Sequence, residues 1–180
     1  MHYLTIAVFV AVIILMFYFY FKLKKLVMQD LMTGVKNRNA FEMYVNKLTQ
    51  KSKIENDLWL IIYDLDNLGE INLRGGHSLG DASLMRIGDI MKSTFCDRRF
   101  SIFRIGGDEF IVLAKRITEK EIRERIARMD EKCGEYNVSK GYAKIDPVAK
   151  HPFHSAFAEA DKMLYAEKGR KKSLPLYDNI

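Results

Sequence analysis

SIFRIGGDEFIVL, residues 101–113, is the stretch that decides the fold. Residues 101–104 and 110–113 are short runs rich in aromatic and β-branched side chains, and they flank the glycine pair at 106–107. Two such runs around a glycine-containing turn are typical of a β-hairpin. Glycine also permits a left-handed turn and lets the backbone approach a ligand closely. We therefore predict a hairpin whose tip carries the acidic pair Asp108-Glu109.

A strand outside the hairpin is indicated by LWLIIY, residues 58–63, whose length and composition are typical of a strand buried on both faces. Asp64-Leu65-Asp66 follows it directly, and a carboxylate at the end of a buried strand is costly unless it binds something. If this strand lies next to the hairpin strand at 110–113, Asp64 and Asp108 converge at one edge of the sheet. Paired carboxylates there suit Mg²⁺, which takes one or two carboxylates plus substrate phosphates. A solvated acidic turn is the alternative that these residues leave open.

The rest of the chain is predicted to alternate between helix and strand. Asn37 can cap a helix, and Thr118 with Glu121 forms the pattern of a capping box. Apolar residues at helical spacing predict helices over residues 38–51, 84–95, 119–132 and 153–172, and residues 136–145 are predicted to form a strand. These elements predict an α+β fold with a ferredoxin-like arrangement and a mainly antiparallel central sheet.

The segment 1–26 differs in composition from the domain predicted for residues 27–180. From Tyr3 to Phe21 there are 19 residues without a charge, enough to cross a hydrocarbon core of about 30 Å as a helix. A signal peptide would carry basic residues before the apolar run and small residues after it. Here aromatic residues take the place of the small ones. We predict one transmembrane helix, since a buried core helix rarely runs this long without a polar position.

Basic residues follow the apolar run at once, at Lys22, Lys24 and Lys25. The positive-inside rule therefore predicts a single-pass protein of the inner (cytoplasmic) membrane with its domain in the cytoplasm. Only two residues precede the span, so we expect no extracellular sensor in this chain, although the sequence is also compatible with the end of a longer sensor. The net charge of +6 would suit anionic membrane lipid or nucleotide phosphate, and a solvated face is the alternative.

RIGGDEF, residues 104–110, resembles the signature of the GGDEF family of diguanylate cyclases. Other stretches are similar to the remaining motifs of the family and occur in the family's order: DLMTGVKNR (30–38), DLD (64–66), IN (71–72), GHSLGD (76–81) and ADKMLY (160–165). The resemblance extends from residue 30 to residue 172. It implies a nucleotidyl-cyclase (GGDEF) domain that condenses two GTP molecules into cyclic di-GMP and two pyrophosphates, with Mg²⁺ or Mn²⁺ as cofactor.

The resemblance also implies roles for particular residues. Asp64 and Asp108 would hold the metal with the backbone carbonyl of Leu65, and Asp108 and Glu109 would be catalytic, Glu109 by helping to activate the attacking 3′-hydroxyl or by supporting the metal. The family works as a homodimer through its GGDEF domains, because each domain holds one GTP. No nucleic acid polymer is expected as a partner.

Nucleotide contacts are implied for six further positions. Asn72 and Asp81 would read the guanine edge. Gly106 and Gly107 would let the backbone lie against the nucleotide. Lys168 and Lys172 would neutralise phosphate charge, and they lie four residues apart on the last predicted helix, so they face the same way.

The chain departs from the family pattern at several positions. Gly69 stands where the family usually has Lys, Leu73 where it has Asp, and Lys172 where it has Arg. The inhibitory product site R-x-x-D is replaced by DRRF at 97–100, so feedback inhibition is not expected. These departures leave a second hypothesis, a degenerate GGDEF domain that binds GTP as a signalling or dimerisation module without strong activity.

Overall fold

The computed structural model describes residues 2–50, 54–134 and 136–173. In these ranges the chain forms five helices and five strands. The helices are α1 (His2–Val27), α2 (Arg38–Gln50), α3 (Leu68–Thr94), α4 (Glu119–Cys133) and α5 (Pro152–Lys172). The strands are β1 (Lys36–Asn37), β2 (Leu58–Leu65), β3 (Phe100–Arg104), β4 (Glu109–Lys115) and β5 (Val138–Lys144).

The strands form one sheet in the order β1-β3-β4-β2-β5. The pairs β3–β4, β4–β2 and β2–β5 are antiparallel, and only the two-residue strand β1 pairs in parallel, with β3. The predicted α+β fold with a mainly antiparallel sheet is therefore confirmed. Strand β1 was not predicted because two residues are too few to show a period-2 pattern.

Helices cover both faces of the sheet and create two apolar cores. All eight residues of β2 are buried, and alternate side chains point to opposite faces. One core packs Trp59, Ile61 and Tyr63 against α3 and α4, and the other packs Leu60 and Ile62 against α2 and α5. Burial on both faces explains why β2 has a continuous apolar run rather than an alternating one.

Helix α5 lies very close to β5, where the backbone of the helix passes over Gly141. A Cβ atom at position 141 would overlap the carbonyl oxygen of Ala160 and lie 2.7 Å from the backbone nitrogen of Leu164. Glycine is therefore required for this packing, which sets the position of α5 over the end of the sheet.

Strand β5 forms one edge of the sheet, and its outward backbone is partly covered by α5. The N–H of Lys140 donates to Oε2 of Glu167 (2.9 Å), and Nζ of Lys140 bonds to Oε1 of the same carboxylate (2.9 Å). The Lys140 side chain also forms an ion pair with Asp130 of α4 (2.8 Å). One residue therefore links the edge strand to the helices on both faces.

Local sequence signals account for most element boundaries. The N–H of Ala40 donates to Oδ1 of Asn37 (3.0 Å), which confirms the predicted cap of α2, and both bonds of the predicted capping box at Thr118 and Glu121 are formed. Helix α3 begins at Leu68, earlier than the predicted helical segment at 84–95, and it is broken at Gly76, whose backbone has φ 72° and ψ 175°. Its first turns are mostly exposed and contain Gly69, Gly75 and Gly76, so they lack the continuous apolar face that predicts the helix at 84–95.

Helix α1 is exposed along its length and includes the predicted apolar span. Residues 5–24 have a mean hydropathy of 2.4, and by length and composition this helix can cross a membrane. Its C-terminal end is tied to the domain by Asn37, whose Nδ2 donates to the carbonyl of Val27 (2.7 Å). Since Asn37 also caps α2, a single side chain connects the end of α1 to the start of α2.

Candidate active site

Strands β2 and β4 bring the two predicted acidic clusters together at one end of the sheet. Asp64 lies directly opposite Glu109, and the N–H of Leu65 donates to the carbonyl of Asp108 (3.1 Å). Directly opposed residues of neighbouring strands place their side chains on the same face, and like charges there are destabilising. We call Asp64, Asp66, Asp108 and Glu109 the acidic edge. Cations are needed to offset the repulsion between its carboxylates.

Asp64 is the most deeply buried of the carboxylates that were predicted to bind metal, with 9% of its side chain exposed. Burial raises its pKa above the ordinary value, and the charges of Asp108 and Asp66 raise it further. Nζ of Lys168 on α5 lies 2.7 Å from Oδ1 of Asp64 and opposes this shift. Burial by itself lowers the pKa of Lys168, but Asp64 and the neighbouring acids raise it overall.

A second lysine of α5 holds Asp66, which follows β2 directly. Nζ of Lys171 donates to Oδ2 of Asp66 (3.0 Å), to the carbonyl of Val138 (2.8 Å) and to Oγ of Ser139 (3.2 Å). The Ser139 hydroxyl also donates to Asp66 (2.7 Å). Sequence reasoning missed Lys171, although its spacing of three from Lys168 would have indicated it. The side chain of Lys172, which was predicted instead, lies outside the described residues.

The acidic edge has an excess of negative charge that a divalent cation would balance. Within the described residues, four carboxylates and two ammonium groups meet there: those of Asp64, Asp66, Asp108 and Glu109, and those of Lys168 and Lys171. No group of three acidic, histidine or cysteine side chains in these ranges forms a complete metal site. A site with two carboxylates fits Mg²⁺, which completes its octahedron with water and substrate phosphate.

The backbone carbonyl of Leu65 is oriented toward the same place. The N–H of Asp66 donates to the carbonyl of Asn137, on the β5 side (2.8 Å). In a trans peptide the C=O points opposite to the N–H of the next residue, so the Leu65 carbonyl points toward β4. The reciprocal bond from the Asp108 N–H is not formed in the described backbone. Together with Asp64 and Asp108, this carbonyl supplies the oxygen ligands that a hard cation prefers.

The two residues predicted to read guanine are close together across the break in α3. A Cβ atom at position 80 would overlap Oδ1 of Asn72, so the Asn72 side chain lies directly against Gly80. Asp81 follows Gly80 and is exposed. The absence of a side chain at Gly80 thus makes room for the Asn72 amide beside the backbone that leads to Asp81, where the amide can donate or accept hydrogen bonds and the carboxylate can accept them.

The loop between β3 and β4 is held by Arg104. Its Nη2 donates to the carbonyl of Gly107 (2.6 Å), and its Nη1 lies 3.2 Å from Oδ1 of Asp30, in the segment that follows α1. Burial alone raises the pKa of Asp30, but hydrogen bonds from Thr33 and Arg104 outweigh it and lower the pKa. Arg104 was not among the predicted site residues, although it is the first residue of the signature.

Gly106 and Gly107 do not use the left-handed conformation that glycine permits. Within the described residues, positive φ angles occur at other glycines, not at these two. The loop is closed instead by Arg104 and by the N–H of Ile105, which donates to the carbonyl of Glu109 (3.0 Å). Gly106 is close to Glu109, since a Cβ there would lie 2.6 Å from Oε2, and Gly107 is open to solvent.

Comparisons with known proteins agree with these observations. A family model described as diguanylate cyclase, GGDEF domain, matches residues 27–173. Diguanylate cyclase DgcP of Escherichia coli is 32% identical over 160 residues, which cover 81% of this chain and 46% of DgcP. An uncharacterized membrane protein of Staphylococcus epidermidis is 25% identical over 164 residues, covering 84% of this chain and 46% of that protein. The chain thus spans about half the length of these relatives.

The fold is shared with solved structures. The coiled coil and GGDEF domain of DgcB from Caulobacter crescentus, solved in complex with c-di-GMP, superposes with a TM-score of 0.80 at 20% identity. The match covers 91% of this chain and 92% of that one. At this level of identity the likeness shows the architecture, and it confirms the predicted fold.

Proposed function

Because the chain belongs to the GGDEF family of diguanylate cyclases, we propose that it condenses two GTP molecules into cyclic di-GMP and two pyrophosphates. The observation that carries the proposal is the acidic edge, where Asp64 lies opposite Glu109 and Asp108 lies beside Leu65. The relative DgcP, named a diguanylate cyclase, supports the same activity.

The reaction forms two bonds, each between the 3′-oxygen of one GTP and the α-phosphorus of the other. Each attacking hydroxyl releases its proton to solvent, and each of the two pyrophosphates leaves with the electrons of its broken P–O bond. Mg²⁺ or Mn²⁺ held by Asp64, Asp108 and the Leu65 carbonyl would stabilise charge on the α-phosphate and lower the pKa of the attacking hydroxyl. The exposed carboxylate of Glu109 would accept a hydrogen bond from that hydroxyl and support the metal site. Lys168 would contact phosphate, with Lys172 in the same role.

Guanine recognition is assigned to Asn72 and Asp81. Asp81 would accept hydrogen bonds from the ring and exocyclic N–H groups of guanine, and Asn72 would bond to the neighbouring edge of the base. Adenine lacks the matching donors and would leave these polar groups unpaired.

The reaction requires two domains, since each holds one GTP and the two nucleotides must face each other. We place the protein in the cytoplasmic membrane as a homodimer, anchored by α1 in contact with lipid, with the domain in the cytoplasm. The exposed apolar helix and the lysines that follow it support this arrangement.

A direct test is incubation of the full chain, reconstituted in lipid vesicles, with GTP and Mg²⁺, followed by chromatography of the products. Wild type should yield cyclic di-GMP and pyrophosphate only with Mg²⁺ or Mn²⁺. The variant Asp108→Ala should lose about 100-fold or more of this activity, because a metal ligand matters at least as much as the groups that orient ligands.

Asp161→Ala is the matched control, since Asp161 is an exposed aspartate of α5 that forms no ion pair within the described residues. It should retain wild-type activity. Equal rates for wild type and Asp108→Ala would refute the assignment of Asp108, and the absence of any cyclic di-GMP would refute the proposed activity.

A second function is favoured by Gly69 and Leu73, the departures from the family pattern. Gly69 leaves open space on α3, and Leu73, beside Asn72, is 88% exposed. If these two departures impair catalysis, the domain binds GTP as a signalling or dimerisation module without strong activity. GTP binding by equilibrium dialysis in the absence of product formation would identify this alternative.

A further inference from the structure

Lys168 and Lys171 pair in different ways with Asp64 of β2 and with Asp66, which follows β2. Lys171 donates to three acceptors, Asp66 and two residues of β5, and 22% of its side chain is exposed. Lys168 contacts Asp64 through its ammonium group, and 32% of its side chain is exposed. Within the described residues this is its one ion pair. Lys171 is therefore a fixed anchor for the last turns of α5, whereas Lys168 can move by rotation of its own side chain.

The ammonium group of Lys168 lies where a cation bound by Asp64 would meet it. A buried carboxylate without a partner is costly, so Asp64 retains Lys168 when no metal is present. A metal ion that binds Oδ1 of Asp64 would compete with this ammonium group, which lies 2.7 Å from the same oxygen and repels a second cation there. The displaced lysine then loses its partner, and this loss opposes metal binding.

A bound nucleotide reduces this opposition to metal binding, because its phosphates offer Lys168 a second anionic partner. We propose that Lys168 neutralises Asp64 in the absence of metal, and that it exchanges Asp64 for nucleotide phosphate as the metal ion enters. Metal and nucleotide then bind cooperatively, and by linkage each increases the affinity of the other by the same factor. This inference rests on the proposed function, since it assumes that the acidic edge binds metal together with GTP.

The test measures Mn²⁺ binding, with no turnover required. The full chain in detergent micelles is titrated with Mn²⁺ while the electron paramagnetic resonance signal of free Mn²⁺ is followed. Each titration is done without nucleotide and with a GTP analogue that cannot be cleaved at the α-phosphate. Wild type should bind Mn²⁺ weakly alone and at least about tenfold more tightly with the analogue.

Lys168→Met should bind Mn²⁺ about tenfold more tightly than wild type without nucleotide, and the analogue should add little. Lys168→Gln serves as a second neutral variant and should behave in the same way. Lys168→Arg keeps the charge and should retain the weak binding of wild type. Lys162→Met is the matched control, because Lys162 is exposed on the same helix and forms no ion pair in the described part of the chain.

The outcomes separate this inference from the proposed function. Unchanged Mn²⁺ affinity in both neutral variants, together with synthesis of cyclic di-GMP by wild type, overturns the exchange and leaves the activity intact. Tighter binding in both neutral variants supports the exchange even if no cyclic di-GMP is made. The absence of Mn²⁺ binding in every protein, with and without the analogue, overturns the exchange and the metal site alike.

Discussion

At the scale of single residues, the proposed guanine site depends on Gly80, which has no side chain. The Asn72 amide occupies the space that a Cβ atom of residue 80 would need. Within the described residues this amide forms no side-chain hydrogen bond to the protein, so its place against Gly80 is set by steric fit. Base selection is expected to be sensitive to any added atom at this position.

Gly80→Ala should reduce the preference for GTP over ATP. In wild type, kcat/KM for GTP should exceed that for ATP by about 10³-fold or more, because adenine leaves buried polar groups unpaired. In Gly80→Ala the Asn72 side chain must turn away, and the ratio should fall about tenfold or more, at a loss of about 1–3 kcal/mol for one unpaired polar group. Gly69→Ala is the control, since a Cβ there meets nothing within 4 Å. An unchanged ratio in Gly80→Ala would contradict the role of Asn72.

At the scale of elements, helix α4 begins with a capping box that also joins it to the segment before β3. The N–H of Thr118 donates to Oε2 of Glu121 (2.9 Å), and Nη1 of Arg99 donates to Oε1 (3.1 Å). These hydrogen bonds, that of the Thr118 backbone first, lower the pKa of Glu121 from 4.5 to about 2. The charged form of Glu121 therefore stabilises the folded protein.

This pKa predicts a pH-dependent effect of Glu121→Gln. A carboxylate whose pKa is lower in the folded state stabilises fully above its unfolded pKa of 4.5, and that stabilisation is lost as the pH falls toward about 2. Glu121→Gln should therefore lower the urea midpoint at pH 7, and the difference from wild type should shrink steadily below pH 4.5. Urea titrations followed by circular dichroism measure this, with Glu124→Gln, exposed on the same helix, as control. A difference that stays constant with pH would show that charge is not the cause.

The elements that sequence predicted well are those with local signals. The cap at Asn37, the capping box of α4 and the apolar run of β2 each lie within a few residues of the feature they specify. The contacts of Lys171 join α5 to β5 and to Asp66 after β2, so its spacing from Lys168 could indicate the side chain but not the groups that it contacts. The orientation of the Leu65 carbonyl likewise follows from pairing with strands on both sides of β2. The acidic clusters were predicted to converge and Lys168 was predicted to contact phosphate, but the pairing of Lys168 and Lys171 with the two aspartates follows only from the packing of α5.

At the scale of the whole molecule, an exposed apolar helix precedes a domain that, in the proposed reaction, must meet a second copy. Asn37 bonds to the end of α1 and caps α2, so the two parts are joined without a long linker. Confinement to a membrane raises the effective concentration of the partner domain without any new contact. We therefore expect α1 to promote activity as well as to anchor the protein.

Removal of residues 1–26 should lower specific activity at least about tenfold at low protein concentration, because fewer domains are paired. Raising the concentration of the truncated protein should restore the activity. The measurement is the initial rate of cyclic di-GMP formation over a dilution series of both proteins. A truncated protein whose specific activity equals that of the full chain and does not change on dilution would show that the domains pair tightly by themselves.

The same confinement makes the borders of the sheet important. An unpaired strand edge is a template for aggregation, and crowding on a surface favours such growth as much as it favours the productive dimer. Here one border is the two-residue strand β1, and along the other Glu167 occupies the outward amide of Lys140. An incoming strand would have to break that bond and displace a carboxylate before it could add to β5. If the domain is concentrated at a membrane, its sheet therefore resists edge-to-edge polymerisation. Two copies can still meet for the proposed reaction.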